Sequence, residues 1–275
     1  MQNFIKIEIA VPSPAVAEIL IADLSEMNFY GFEEEENCLT AYIKEEDFDE
    51  EKFNKYAIAK FEFKRSVIPE QNWNQQWERE FQPVIIDDFA AIRATFHKPV
   101  KKVKHELIIT PKMSFGTGDH ATTFLMIAQM EKVNFQDKVV LDFGTGTGIL
   151  AILAEKLGAS SVLAIDNDEW SINNALENVQ TNTCKNIYIE KRSDLEGIPA
   201  VDIVLANINF NVLTRFAASI SFLLKEKSLL LISGFLSEDQ ESIEKVFGKY
   251  DFLQLNMLEK EGWLSLLLEK QQNKV

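Results

Sequence analysis

VVLDFGTGTGILAI, residues 139–152, passes from an apolar run through three alternating glycines into a second apolar run. The first run is short and rich in valine and leucine, which is typical of a strand buried on both faces. Gly144, Gly146 and Gly148 permit positive φ angles and let a ligand approach the backbone closely. The second run, which ends at Gly158, is typical of a helix. The segment therefore predicts a strand, a glycine turn and a helix, the repeating unit of an α/β fold.

Strand and helix patterns alternate from about residue 136 to the end of the chain. Seven apolar segments have the length of strands: KVVLDF, SVLAID, NIYIEK, VDIVLAN, SLLLIS, FLQLNML and WLSLLLEK. Alternation with helical segments indicates a parallel sheet with crossover helices on its faces. We therefore expect a seven-stranded, doubly wound α/β domain over residues 84–275.

The first 68 residues follow a different pattern. Short strands and two helical segments alternate in the order β-α-β-β-α-β, which is typical of a small ferredoxin-like α+β domain. The segment 69–83 then places Trp73, Trp77 and Phe81 four residues apart, so these aromatic side chains share one face of a helix. This predicts a small domain over residues 1–68 and a linker helix over residues 69–83.

Charge is distributed unevenly along the chain. The 275 residues carry a net charge of −15, which argues against a general nucleic-acid-binding protein that must neutralise phosphates. Residues 33–51 alone contain ten acidic residues and one basic residue, Lys44. Such a run forms either a solvated surface or a docking surface for a basic protein.

The composition, with 46% hydrophobic and 26% charged residues, is that of an ordinary globular protein. No apolar run approaches the about 20 residues that span a bilayer, and the first residues lack the apolar core of a signal peptide. Two cysteines and three scattered histidines suggest neither a disulfide framework nor a metal site. No heptad repeat indicates obligate assembly. We expect a cytoplasmic monomer that does not contact a membrane.

The ligand of the glycine turn can be inferred from its spacing. Asp166 ends the next predicted strand, 22 residues after Gly144, where a carboxylate can accept both hydroxyls of a ribose. Dinucleotide sites require G-x-G-x-x-G, but Ile149 stands where the last glycine belongs, and the chain contains no P-loop sequence. S-adenosylmethionine fits better, because it has a ribose, an adenine and an amino-acid tail but no phosphate.

Asn207 ends the fourth predicted strand, VDIVLAN. The carboxyl edge of an open α/β sheet is where ligands bind, so this amide is expected to face the site. We expect Asn207 to orient an incoming amine by its side chain or its backbone carbonyl. The alternative is that Asn207 caps the helix that follows.

A second glycine-rich segment, PKMSFGTGDHATTFLMIAQM, opens a helix upstream of the first. Thr122 and Thr123 lie in its first turn, where free N–H and hydroxyl groups either hold a ligand carboxylate or cap the helix. His120 is either a base or a structural residue at the start of this helix.

The segments FGTGDHATT, LDFGTGTGILAI, AIDND, ANIN and EGWLSLLLEK, in this order and spacing, resemble the PrmA family of bacterial methyltransferases, which act on large-subunit ribosomal protein L11. The resemblance covers about residues 70–270, and the first 65 residues match in pattern only. It implies a seven-stranded, Rossmann-like class I methyltransferase sheet preceded by a small substrate-recognition domain. It also implies that Thr123, Gly144, Asp166 and Asn207 bind S-adenosylmethionine, and Gly146 belongs to the same turn.

The resemblance implies methyl transfer to amino groups of ribosomal protein L11, either lysine side chains or the amino-terminal amine. Three alternatives remain open at this point. The alternatives are a methyltransferase of another protein or a small amine, a dehydrogenase on a similar sheet, and a binding module without catalytic activity. The missing glycine at Ile149 argues against the dehydrogenase.

Overall fold

A computed structural model describes residues 3–12, 14–25, 27–29, 31–35, 38–56, 62–69, 82–110 and 120–272. The chain separates into two compact units, Met1–Phe81 and Gln82–Val275. The predicted linker helix over residues 69–83, with its three aromatic side chains, lies almost entirely outside the described residues.

Among its described residues, the first unit contains four strands and two α-helices. They are β1 (Asn3–Ala10), α1 (Pro14–Ser25), β2 (Gly31–Glu35), β3 (Cys38–Lys44), α2 (Glu50–Tyr56) and β4 (Phe63–Pro69). The strands form an antiparallel sheet in the order β2-β3-β1-β4. The alternating sequence of β1 buries Ile5, Ile7 and Ile9 on one face, where they pack with residues of α1 and α2. The predicted order of elements is therefore observed in this unit.

The second unit contains ten strands and five helices among its described residues. They are β5 (Val84–Ile86), β6 (Ala90–Arg93), β7 (His105–Ile108), α3 (Ala121–Met130), β8 (Val139–Phe143), α4 (Ile149–Lys156), β9 (Ser161–Asp166), α5 (Glu169–Thr181), β10 (Ile187–Lys191), β11 (Val201–Asn207), α6 (Phe210–Leu223), β12 (Leu224–Leu236), α7 (Gln240–Gly248), β13 (Phe252–Lys260) and β14 (Trp263–Lys270). No described helix is long and apolar enough to cross a membrane.

The main sheet of this unit has seven strands in the order β10-β9-β8-β11-β12-β14-β13. From β8 the chain moves outward through β9 to β10, and it then returns to the other side of β8 to form β11. This reversal leaves a crevice at the carboxyl ends of β8 and β11, the point at which open α/β sheets bind ligands. The predicted seven-stranded core is confirmed.

One strand departs from the predicted parallel arrangement. β14 runs antiparallel to both of its neighbours, β12 and β13. The cause is the turn between β13 and β14, where Glu261 and Gly262 have φ angles of 55° and 79°. Positive φ at both central residues is the signature of a tight hairpin, and a hairpin joins antiparallel strands. The expectation of parallel crossovers is wrong at this strand.

A small three-stranded sheet precedes the main sheet in the chain. It consists of β5, β6 and β7 in that order. Ile86, Ile92 and Leu107 of this sheet are buried in the same core as α3 and α4. The first six residues of α4 are all buried, which explains its continuous apolar sequence.

Candidate functional site

A cavity of about 660 Å³ opens at the carboxyl ends of β8, β9 and β11, in the crevice that the strand order creates. The glycine turn and Phe143 line it from β8, Asp166 and Asn167 line it from β9, and Asn207 lines it from β11. The structure thus brings together in one cavity four of the five predicted site residues: Gly144, Gly146, Asp166 and Asn207.

The glycine turn adopts the predicted left-handed backbone. Gly144, Gly146 and Gly148 have φ angles of 76°, 53° and 81°. A Cβ atom on Gly144 would lie 2.3 Å from Cγ2 of Ile208, so any side chain here would have to displace that methyl group. The N–H groups of Gly144 and Thr145 both donate to the carbonyl of Ile165, each at 2.9 Å, which holds the turn against β9.

Asp166, the residue after Ile165 in β9, also fixes the glycine turn. Its Oδ2 accepts from the N–H of Gly146 at 2.9 Å, and its Oδ1 accepts from the N–H of Asp168 at 3.0 Å. An ionised carboxylate has about four acceptor positions, so these two bonds leave room for ligand hydroxyls. Asp166 is therefore held in a fixed orientation at the wall of the cavity.

Asp142, the last residue but one of β8, was not singled out from the sequence. Its carboxyl group is fully buried beneath the turn, where Oδ2 accepts from Oγ1 of Thr145 at 2.6 Å and from the N–H of Ala151 at 3.2 Å. Oδ1 has no hydrogen-bond partner among the described residues. Burial raises the pKa of Asp142 to about 7, although both hydrogen bonds act in the opposite direction.

Asn207 lies at the end of β11, where it was predicted. Its Nδ2 donates to Oγ1 of Thr123 at 3.5 Å, and its Oδ1 is buried without a partner in the described part of the chain. The helix that follows is capped by Asn209, whose Oδ1 accepts from the N–H of Val212 at 3.0 Å. The alternative role of Asn207 as a helix cap is therefore excluded.

Thr123 is fully buried in the first turn of α3 and is not among the residues that line the cavity. It contacts the site through Asn207. His120 is the cap of α3, because its Nδ1 accepts from the N–H of Thr122 at 3.3 Å. Its ring packs edge-on against Trp263, with centroids 4.9 Å apart, and both side chains line the cavity. Residues 111–119 of the upstream glycine segment lie outside the described residues.

Several cavity residues had not been identified from the sequence: Ile208, Phe216, Arg192, Arg215, Gly234 and Trp263. Gly234 carried a usable signal, since a glycine inside a strand often marks the close approach of another backbone. Its φ is 98°, and a Cβ there would lie 2.3 Å from the carbonyl oxygen of Ile208. Phe216 packs edge-on against Phe143, at 5.1 Å, and gives the cavity an apolar wall. No local pattern pointed to the two arginines.

The donor set of the cavity indicates which ligands it suits. No group of three or more histidine, cysteine, aspartate or glutamate side chains in the described ranges could hold a metal ion. A turn that presents glycine backbone, a fixed carboxylate, an amide and an apolar wall suit a small molecule that has hydroxyls and a flat ring.

Comparison with known proteins gives consistent matches. The family model described as "Ribosomal protein L11 methyltransferase (PrmA)" matches residues 13–271. A protein of this name from Porphyromonas gingivalis is 41% identical over 81% of this chain and 80% of its own length. Another, from Chlorobaculum tepidum, is 38% identical over 92% of both chains.

A solved structure is also similar. The crystal structure of ribosomal protein L11 methylase from Lactobacillus delbrueckii subsp. bulgaricus is 29% identical, with a TM-score of 0.65. The match covers 70% of this chain and 100% of the other. With the switch-point cavity, the glycine turn and the matching family model all in place, the chain belongs to the ribosomal protein L11 methyltransferase (PrmA) family.

Proposed function

We propose that the protein transfers methyl groups from S-adenosylmethionine to amino groups of ribosomal protein L11, either lysine side chains or the amino-terminal amine. The observation that carries the proposal is the meeting of the glycine turn, the Asp166 carboxylate and the Asn207 amide in one cavity. The names of the family model and of the relatives support the choice of substrate.

The residues of the cavity fit S-adenosylmethionine, which supplies a methyl group on a positively charged sulfur when bound. In the proposal, Gly144 and Gly146 run beneath its amino-acid end, because both line the cavity and a glycine backbone lets a ligand approach closely. Asp166 accepts the ribose hydroxyls with the positions that Gly146 and Asp168 leave free. Oγ1 of Thr123 accepts a hydrogen bond from Nδ2 of Asn207 and so helps to fix the orientation of that amide.

Methyl transfer to an amine is an in-line displacement, so the protein mainly holds two reactants at the right distance and angle. Asn207 orients the amine, since a carbonyl oxygen accepts from its N–H groups and leaves the lone pair free to attack. A lysine must first lose its proton, which costs about 4.6 kcal/mol at pH 7 for a pKa of about 10.4. The apolar wall of Phe143 and Phe216 lowers this cost, because desolvation disfavours the ammonium form.

The remaining expectations belong to the same proposal. The strand order β2-β3-β1-β4 with two crossing helices supports a ferredoxin-like fold for the substrate-recognition domain. We place the domain over residues 1–68, the linker helix over residues 69–83 and the methyltransferase domain over residues 84–275. The enzyme acts in the cytoplasm as a monomer, and the net charge of −15 supports a mechanism that needs no direct contact with nucleic acid.

A direct test is the mass of purified ribosomal protein L11 after incubation with the enzyme and S-adenosylmethionine. We expect mass increases in steps of one methyl group. Asn207→Ala should lower turnover about a hundredfold, the scale of losing a group that orients reactants, while folding is largely kept. Asn211→Ala, an exposed residue of α6, is the matched control and should act like the wild type.

The two parts of the proposal fail separately in this experiment. Unchanged mass of ribosomal protein L11 with the wild-type enzyme would contradict the substrate. Methylation by Asn207→Ala at the wild-type rate would remove Asn207 from the reaction and leave the rest of the assignment in place.

A further inference from the structure

Three asparagines, Asn174, Asn178 and Asn182, follow one another at intervals of four along α5 and its carboxyl-terminal cap. This spacing places them on one face of the helix. All three are buried, with exposed fractions of 1%, 0% and 7%. Buried amides are costly unless their donors and acceptors are paired, so a buried row of this kind needs partners on other elements.

Asn178 joins two separate parts of the second unit. Its Nδ2 donates to the carbonyl of Thr147 at 2.9 Å, and its Oδ1 accepts from the N–H of Thr110 at 2.8 Å. Nδ2 also donates to Oδ1 of Asn174 at 3.2 Å. Thr147 stands between Gly146 and Gly148 in the glycine turn, and Thr110 follows β7. The amide therefore uses both N–H groups and its oxygen, and it connects the turn to the end of β7.

Asn182 makes a similar attachment that does not reach the turn. Its Oδ1 accepts from the N–H of Ile108 at 3.1 Å, and its Nδ2 donates to the carbonyl of Ile108 at 2.7 Å. Nδ2 also donates to the backbone carbonyl of Asn178 at 2.9 Å. Asn182 thus ties α5 to β7 with the same chemistry as Asn178 but makes none of these bonds to the glycine turn.

We propose that Asn178 is a positioning residue for the cofactor turn, which it holds through the carbonyl of Thr147. The carbonyl of Ile165 and the carboxylate of Asp166 hold the turn as far as Gly146. Asn178 adds a bond at Thr147, where glycines on both sides restrict the backbone little. Asn178 does not line the cavity, so it acts through the path of the turn rather than by touching a ligand. The inference rests on the proposed function, since it assigns the turn to S-adenosylmethionine.

The test compares Asn178→Ala with Asn182→Ala by calorimetric titration with S-adenosylmethionine and by thermal unfolding. Both variants lose a buried amide and should unfold at lower temperature. Only Asn178→Ala should bind the cofactor about tenfold more weakly, the factor expected when one buried hydrogen bond to the turn is lost. Asn182→Ala should keep the wild-type Kd, because it leaves the turn anchored.

Asn178→Asp tests the bond to Thr147 separately from the bond to Thr110. It replaces the alanine variant if that variant does not fold. The new carboxylate still offers an oxygen to the N–H of Thr110, but it presents a second oxygen to the carbonyl of Thr147 in place of a donor. We expect weakened cofactor binding here as well.

Equal cofactor affinity in Asn178→Ala and Asn182→Ala, or wild-type affinity in Asn178→Asp, would overturn the inference while leaving the proposed function intact. A wild-type protein that binds no S-adenosylmethionine would instead refute the proposed function, on which the inference rests. The titration of the wild type thus distinguishes the two failures.

Discussion

Under the proposed function, the carboxylate of Asp166 both holds the glycine turn and binds the ligand. Its carboxylate holds the N–H groups of Gly146 and Asp168 and still faces the cavity. Bonds from two backbone donors leave it little freedom to rotate. Because the carboxylate is already held in place, ligand binding costs little conformational entropy there, which favours high affinity.

Asp166→Ala is expected to weaken S-adenosylmethionine binding on the order of a hundredfold, because it removes charge-assisted hydrogen bonds to the ligand and to the turn. Calorimetric titration measures this directly. Asp202→Ala is the control, since its carboxylate accepts from the N–H of Val139 at the amino ends of the strands, away from the cavity. Unchanged affinity in Asp166→Ala would remove Asp166 from the ribose site.

Asp142 should make the stability of the protein depend on pH. Its pKa is about 7 in the folded protein and about 4 in an unfolded chain, so the folded state binds the proton more tightly. The resulting stabilisation is complete below about pH 4 and is lost as the pH rises through 7.

Asp142→Asn should remove this dependence, because the amide keeps an oxygen for Thr145 and Ala151 but does not ionise. Between pH 5 and pH 8 the wild type should lose about 3 kcal/mol of unfolding free energy relative to the variant. Urea unfolding at several pH values measures the difference. Asp87→Asn, at an exposed aspartate, controls for the loss of one charge, and an equal pH dependence in all three proteins would contradict the role of burial.

At the scale of elements, the glycine turn is the part of the site that the sequence determines most completely. Gly144 is enclosed by Ile208, so both its φ of 76° and the space around it require glycine. Gly197 has a similar φ of 69°, but a Cβ on Gly197 would meet nothing within 4 Å. Alanine variants at Gly144 and Gly197 therefore separate the cost of backbone strain from the cost of the contact with Ile208.

Gly144→Ala is expected to lower the unfolding free energy by about 2–4 kcal/mol, from strain and overpacking together, and to weaken cofactor binding. Gly197→Ala should lower it by only about 1–2 kcal/mol, the strain of a left-handed alanine, and leave the affinity unchanged. Denaturant unfolding and titration with S-adenosylmethionine test both. Equal losses of stability and affinity in the two variants would show that the contact with Ile208 is unimportant.

Local sequence patterns predicted those elements whose causes are local. The seven strands of the main sheet, the turn at Gly144 and the ends of β9 and β11 all follow from apolar runs and glycine spacing. The direction of β14 did not, because it is set by two residues with positive φ, Glu261 and Gly262, in a turn that the pattern of strands does not reveal.

Hydrogen bonds between residues that lie far apart in the chain could not be predicted from the sequence either. Asn178 bonds to Thr147 and Thr110, which lie 31 and 68 positions away, so its helix pattern alone gave no reason to select it. The cavity arginines Arg192 and Arg215 were missed for a different reason, because charged residues are common at any protein surface. Gly234 alone among the missed residues had a local signal, its position inside an apolar strand.

For the whole molecule, the uneven distribution of charge bears on how a substrate would bind under the proposed function. The acidic run at residues 33–51 lies in this unit, and the described acidic residues Glu45, Glu46, Asp47, Glu50 and Glu51 are exposed. Exposed charges attract a basic protein over roughly 10 Å at moderate ionic strength, and salt screens them. Under the proposed function, this run helps to capture ribosomal protein L11.

Raising the salt concentration from about 0.05 to 0.5 M should therefore increase the KM for ribosomal protein L11 several-fold and leave the Kd for S-adenosylmethionine nearly unchanged. Steady-state kinetics with the purified substrate measure the effect. Salt-independent KM would show that docking is not electrostatic.

A matched pair of variants tests which part of the chain causes the salt dependence of KM. Neutralising Glu45, Glu46 and Glu51 to glutamine should raise KM at low salt and reduce its salt dependence. The same charge change at three exposed glutamates of the second unit, Glu238, Glu241 and Glu244, should have little effect. Equal effects of the two variants would attribute the salt dependence to net charge alone.

The proposed function assigns methylation of ribosomal protein L11 to this cavity. Its most direct test is transfer of a radiolabelled methyl group from S-adenosylmethionine to total ribosomal protein from a strain that lacks the enzyme, with Asp166→Ala in parallel. We predict label in ribosomal protein L11 alone with the wild type, and little label with the variant. Label in a different protein would contradict the substrate, and no label in any protein, despite measurable cofactor binding, would contradict the catalytic role.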